Sequence, residues 1–187
     1  MAISSKNSVY QLKIALKGSK PPIWRRVLVK NNITLSTLDD IIQVVLGWDN
    51  CHLHMFDVYG ENYGVPEPDF DFEEVCDETK YKLNRFNFRE KGKFSYEYDF
   101  GDSWMHVITV EKILPVDSKM KYPVCIKGKN ASPPEDCGGL WGYYNMLEVI
   151  ANKKNPEREE YLEWLGEGFD PTHFDVDKAN AKLGECE

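Results

Sequence analysis

The sequence predicts a single-domain α+β fold: a mainly antiparallel sheet with one helix on a face and C-terminal helices packed at its side. Three observations carry this expectation. Stretches of strict apolar–polar alternation recur through the first two thirds of the chain, and short turns join them in pairs as hairpins. One stretch, near 37–46, carries helical periodicity, and the pattern after Tyr143 is helical to the end. Strands followed by helices fit α+β rather than a regular α/β alternation.

In order, residues 1–8 read as a flexible N-terminus and 9–187 as the domain. Val9 to Leu16 is a strand with Tyr10, Leu12, Ile14 and Leu16 on its apolar face. Gly18-Ser19-Lys20-Pro21-Pro22 turns the chain, and Ile23 to Val29 returns as its antiparallel partner. Arg25 and Arg26 there point to opposite faces and read as solvated or ion-paired edge positions. Ser36 opens a helix with Asp39 at capping-box spacing. Leu38, Ile41, Ile42, Val45 and Leu46 form its core stripe, and Gly47 is its C′ residue. Its polar face, with Asp39, Asp40 and Gln43, reads as structural.

Cys51 to Val58 is the next strand. His52 and His54 leave it on one face, either as two imidazoles offered to a metal or as part of a core wall with Phe56 and Val58. Tyr59 to Thr79 is rich in acids, Gly and Pro, among them Asp69, Asp71, Glu73, Glu74 and Glu78. It reads as a long solvated excursion. Lys80 to Phe88 reads as a short strand.

Phe94, Tyr96, Tyr98 and Phe100 then alternate with Ser95, Glu97 and Asp99, and Trp104 to Val110 resumes the pattern after Gly101-Asp102. A two-residue turn with Gly first would set Asp99 against Trp104 and Glu97 against His106. That pairing would raise the pKa of the imidazole. A three-residue loop would pair Tyr98 with His106 instead. Ser132 to Tyr143 is a second dense loop: Pro133-Pro134 stiffens its start, Gly138-Gly139 allows close backbone approach, and Glu135, Asp136 and Cys137 lie between. Helices follow from Tyr143 to Ala151, from Asn155-Pro156-Glu157 with Tyr161, Leu162, Trp164 and Leu165 facing inward, and from an Asp175 cap through Leu183.

Composition narrows the function. The chain carries 31 acidic against 23 basic residues, a net charge of −8. Direct nucleic-acid binding and contact with an anionic membrane are therefore disfavoured. No apolar run is long enough to span a bilayer, and the first eight residues lack the apolar core of a signal peptide. Five cysteines, none spaced CxxC, read as reduced thiols of a cytoplasmic protein.

Several motifs together resemble a known family: Ile23-Trp24-Arg25-Arg26-Val27, Leu46-Gly47-Trp48, His52-Leu53-His54, residues 98–106, residues 133–139 and Phe169-Asp170-Pro171. In order, over about 9–183, they are similar to the plasmid pRiA-type ORF-three-like family, which includes TnpR-like passenger proteins of insertion sequences. The chain departs from the family pattern at Met105, where members often have Glu, and at Ser132, where many have Cys. The resemblance implies an α+β domain of plasmids, mobile elements and chromosomes, and no established reaction. A strand-exchange role would need a basic recognition helix or a serine nucleophile among arginines, and neither is legible here.

Two functional readings follow. The preferred one is a non-catalytic module, without metal or cofactor, that binds a protein or small ligand through Trp48, Asp99, Asp102, Trp104, His106, Glu135, Asp136 and Trp141. The alternative is a metal-dependent hydrolase with His52, His54 and His106 or a carboxylate holding zinc or another divalent ion. In it Cys137 is a second choice of ligand, and Asp99, Asp102 or Glu135 is general base for a metal-bound water. His173, in the C-terminal turn, reads as surface.

Overall fold

Every strand that the alternation marks most strongly forms, and all of them join one sheet. The structure is a computed structural model describing residues 7–66, 75–166 and 168–185. Its strands are β1 (Ser8–Leu16), β2 (Trp24–Lys30), β3 (His54–Val58), β4 (Glu61–Gly64), β5 (Cys76–Asp77), β6 (Lys93–Tyr98), β7 (Trp104–Pro115) and β8 (Val124–Lys129). They lie in the order β5-β4-β3-β6-β7-β1-β2-β8. Only the β4–β5 pairing is parallel; the others are antiparallel.

Helix α1 (Leu35–Leu46) covers one face of the sheet. It starts one residue before the expected cap: Thr34, not Ser36, is the N-cap, and its Oγ1 accepts from the Thr37 N–H at 3.1 Å. The earlier start turns Leu35 into the core, where it is fully buried. Gly47 ends the helix at φ 80°, with its N–H donating to the Gln43 carbonyl. The core lies between α1 and the inward rows of the strands: Leu12 and Ile14, Val27 and Val29, Phe56, Tyr96, Ile108 and Val110. At about 1.5–3 kcal/mol for each fully buried apolar side chain, these rows supply the main drive to fold.

Four expectations change. Tyr59–Thr79 is not wholly a loop, because Glu61–Gly64 extends the sheet beside β3 and Cys76–Asp77 follows it. The acids at 69, 71, 73 and 74 fall outside the described residues, as do residues 1–6 of the expected flexible terminus; Ser8 is already buried in β1. The strand expected at 80–88 is replaced by 3-10 turns at Glu78–Lys80 and Leu83–Phe86, with Leu83 pinned in the core. Arg25 is not at an edge, since β8 pairs outside β2; it is 1% exposed, whereas Arg26 pairs with Glu111 at 2.5 Å.

The fourth change is the central hairpin. Tyr98 pairs with Trp104, Glu97 with Met105 and Tyr96 with His106, so the loop spans residues 99–103 and is not the two-residue Gly101-Asp102 turn. A shift of one residue moves a strand's side chains to the other face. In this register Trp104, His106 and Ile108 join Tyr98, Tyr96 and Phe94 inside the core. The aromatic burial outweighs what the tight turn offers, and the Glu97–His106 pair does not form.

The C-terminal helices are α2 (Gly139–Ala151), α3 (Arg158–Leu165) and α4 (Val176–Leu183). α2 begins four residues before the expected Tyr143, and α3 starts after the expected Asn155 cap, although Asn155 still accepts from the Glu157 N–H. Asp175 caps α4 as expected, accepting from the N–H groups of Asp177 and Lys178. α4 packs on β8 and α1, while α3 packs on α2 and buries none of its residues.

Candidate functional site

The C-terminal end of β6, the first residues of β3 and β7, and the segment after α1 meet at one end of the central strands. Two loops close over that end. In loop 99–103, Asp99 (φ 55°) and Ser103 (φ 52°) adopt the left-handed conformation, and Asp99 Oδ1 accepts from the N–H groups of Gly101 and Asp102 at 2.9 and 3.3 Å. Loop 132–139 docks on it. The Gly138 N–H donates to Asp102 Oδ2 at 3.1 Å, and a Cβ on Gly139 would meet the Asp102 carbonyl oxygen at 2.6 Å. Glycine at 139 therefore meets both a positive φ and a close backbone approach.

Beneath the loops lies an aromatic floor. Trp48 stacks on Tyr98 with centroids 5.0 Å apart, sits edge-on to His106 at 5.5 Å, and anchors loop 132–139 by donating from Nε1 to the Pro133 carbonyl at 2.8 Å. Trp48, Trp104 and His106 were expected at a binding surface, but all three are buried and cannot face a ligand in solvent. His106 lies within hydrogen-bond distance of the Trp104 carbonyl through Nδ1, 2.8 Å away. Burial pushes its pKa down to about 4, the reverse of the rise expected from a Glu97 neighbour.

Above the floor the acids and His52 converge. His52 Nε2 is 3.2 Å from Asp136 Oδ1 and 3.8 Å from Asp99 Oδ2. Glu135 faces the other way and staples the loop to the floor: it accepts from Tyr98 OH, from the Asp49 N–H at 2.8 Å and from Cys51 Sγ at 3.5 Å. Burial and the Glu135 hydrogen bond hold the Tyr98 phenol far above its ordinary pKa. Burial likewise pushes the Cys137 thiol up to about 12, so it is protonated at neutral pH and is a poor metal ligand there.

The histidines that the metal-hydrolase alternative would bring together are separated. His54 lies on the core face of β3 in a buried polar cluster, with Nε2 2.8 Å from Glu78 Oε2 and Nδ1 3.6 Å from Asp39 Oδ1. Tyr96 OH donates to Asp39 Oδ1 at 2.5 Å, and Gln43 Nε2 donates to Tyr96 OH at 2.8 Å. Burial opposes a charge on His54, yet the Glu78 hydrogen bond and the charges of Asp39, Glu78 and Asp40 outweigh it and raise its pKa. Burial raises the pKa of Asp39 as well. Among the described residues, the groups of three metal-ligating side chains with converging atoms are His52–Asp99–Asp136 and Cys51–His52–Glu135, and neither includes His54 or His106.

Two further features had no sequence signal. Arg25 is fully inside, donating to the carbonyls of Val45, Trp24, Lys129 and Asn130 and to Ser132 Oγ, with Phe174 3.9 Å from its guanidinium. Burial lowers its pKa to about 10, which still leaves it charged. A cleft of about 350 Å3 opens beside Asp136 and Cys137, lined by Glu157, Glu160, Tyr161 and Trp164 of the α3 region. Trp164 was expected on an inner face but is 48% exposed; Trp141, on α2, is 81% exposed.

Fold and site together define a class: a single-domain α+β protein whose large antiparallel sheet carries an acidic, histidine-containing loop cluster over an aromatic floor. The chain belongs to the plasmid pRiA4b ORF-3-like protein family, whose profile matches residues 8–178. It is 32% identical over 178 residues to y4hQ of Sinorhizobium fredii, described as uncharacterised, across 95% of this chain and 88% of that one. It is 40% identical to MM3350 of Methanosarcina mazei Go1, a protein of unknown function with a crystal structure. That likeness covers 92% of this chain and 96% of the other at a TM-score of 0.83. No helix among the described residues is long and apolar enough to cross a membrane.

Proposed function

We propose that the protein is a non-catalytic binding module whose ligand presents a cationic side chain of the Lys or Arg type. The observation that supports this reading is the α3 cleft, where the carboxylates of Asp136, Glu157 and Glu160 stand beside the rings of Tyr161 and Trp164. Among the described residues, Glu157 and Glu160 have no ion-pair partner, because Arg158 turns to Glu159 and the Ile150 carbonyl. Carboxylates beside half-exposed rings attract a cation through charge and through the ring quadrupole, the latter by about 0.5–2 kcal/mol. A net charge of −8 adds long-range attraction.

The test is a titration of the protein with a tetra-arginine peptide, followed by tryptophan fluorescence and calorimetry. Saturable binding that weakens with salt is expected. Trp164→Ala should weaken it about 2- to 30-fold, and Glu160→Gln should act in the same direction. Equal binding of a neutral peptide of the same length, or an affinity unchanged in both variants, would refute the reading.

A further inference from the structure

We propose that His52, Asp99 and Asp136 form a binding site for a divalent ion of the zinc class. This goes beyond the cationic-cleft reading and does not depend on it: the donors sit in the segment before β3 and in the two loops at the end of the central strands, and only Asp136 also borders the cleft.

The argument starts from the His52 ring. Its Nε2 has almost no solvent access and makes no hydrogen bond among the described residues, although a carboxylate oxygen lies 3.2 Å away. The Asp136 oxygen is near enough to bond but lies out of line with the ring N–H. Two ligand atoms on a tetrahedral ion, each about 2.0–2.1 Å from it, stand about 3.3 Å apart. The Nε2 separations of 3.2 and 3.8 Å bracket that spacing, and the ligand atoms of all three residues lie within 4.8 Å of one another.

Each donor is also presented with the ligating atom free. Asp99 is buried and hydrogen-bonded: its N–H donates to the Leu53 carbonyl, and its Oδ1 is taken by the amides of Gly101 and Asp102, which leaves Oδ2 towards His52. The His52 ring is held edge-on to Tyr98 at 5.7 Å, and the backbone N–H of His52 donates to Tyr98 OH at 3.3 Å. Asp136 comes from the opposite loop with a largely exposed side chain, so it can close on an ion that the other two hold. The overlapping group Cys51–His52–Glu135 is the weaker candidate, because Glu135 already accepts three hydrogen bonds. One imidazole and two carboxylates suit zinc and its neighbours better than magnesium or calcium, which prefer oxygen alone.

The experiment uses the full chain prepared without a histidine tag, stripped with chelator and titrated with zinc ion alone by calorimetry and native mass spectrometry. One ion per chain is expected, with a rise in Tm on binding. His52→Gln, Asp99→Asn and Asp136→Asn should each weaken binding by at least about 100-fold, since even outer-shell partners of a metal ligand are worth 10- to 100-fold. Asp136→Asn lies on an exposed side chain, so its fold is preserved even if the buried Asp99 variant is destabilised. Cys51→Ser, Glu160→Gln and Trp164→Ala should bind zinc as the parent does. Absence of stoichiometric binding overturns the proposal. So does binding that survives Asp136→Asn, or binding lost on Cys51→Ser, which would move the ion to the other group.

Discussion

Replacing Glu78 by Ala should be among the most damaging single changes in the molecule, although it lies in a stretch that reads as solvated loop. Its side chain is 3% exposed and bonds His54 Nε2 at 2.8 Å; the His54 side chain is 7% exposed. Removing one partner of a buried pair leaves the other charged and unsolvated, at a cost of about 3–5 kcal/mol. For a domain of this size, each kcal/mol shifts Tm by about 2–4 °C, so a fall of about 6–20 °C is expected. The pH dependence gives a sharper criterion. The folded pKa of His54 lies above its ordinary value of 6.5. The stability this contributes is therefore fully present below about pH 6.5 and is lost as pH rises through the folded value. The raised pKa of Asp39 acts in the same sense at lower pH, because its proton is held more tightly in the folded chain. Urea unfolding of both proteins at pH 5.5, 7 and 8.5 should show the gap widest at pH 5.5 and narrowing upward. A gap below about 1 kcal/mol, or one that widens with pH, would show that His54 is not held as a charged group by Glu78.

Two further outcomes follow from the buried cations and rings. Arg25→Lys keeps the charge but cannot reproduce the fork that reaches α1, β8 and Ser132; denaturant unfolding should show a loss of about 2–4 kcal/mol. His106, with a pKa near 4, should keep its neutral ring signals in an NMR titration down to about pH 5, while His54 titrates above the ordinary histidine range. An imidazole at 106 that protonates near pH 6.5 would contradict its enclosure by Trp48, Trp104 and Tyr96.

The five longer-patterned strands β1, β2, β3, β6 and β7, the first helix and the last helix are legible because they depend on local periodicity and caps: Tyr10, Leu12 and Ile14, the stripe from Leu38 to Leu46, Gly47 and Asp175; β4, β5 and β8 carry no such pattern and were not expected. So was the presence of dense polar loops at 99–103 and 132–139, since Gly, Pro and Asp mark turns wherever they fall. Which residues of those loops face one another was not legible. His52 and His54 are two apart, yet the first lies outside the described β3 strand and reaches Asp99 and Asp136, while the second turns into the core towards Glu78. Asp39 and Gln43 lie four apart in α1, a spacing that puts them on one face, but nothing local says that Tyr96 and His54 wait beneath them.

The sequence by itself determined the fold class, the strand rows and the family, because alternation, caps and motif order are properties of neighbouring residues. Tertiary structure alone decided the hairpin register, the burial of Arg25 and Glu78, and the meeting of His52 with Asp99 and Asp136. The register illustrates the reason. A tight Gly101-Asp102 turn is favoured locally, but its register would put Trp104 and His106 on the face opposite Tyr96 and Tyr98, whereas the observed pairing places Phe94, Tyr96, Tyr98, Trp104, His106 and Ile108 together in the core. Burying those rings involves residues far apart in the chain, and its free energy exceeds what any two-residue turn can supply.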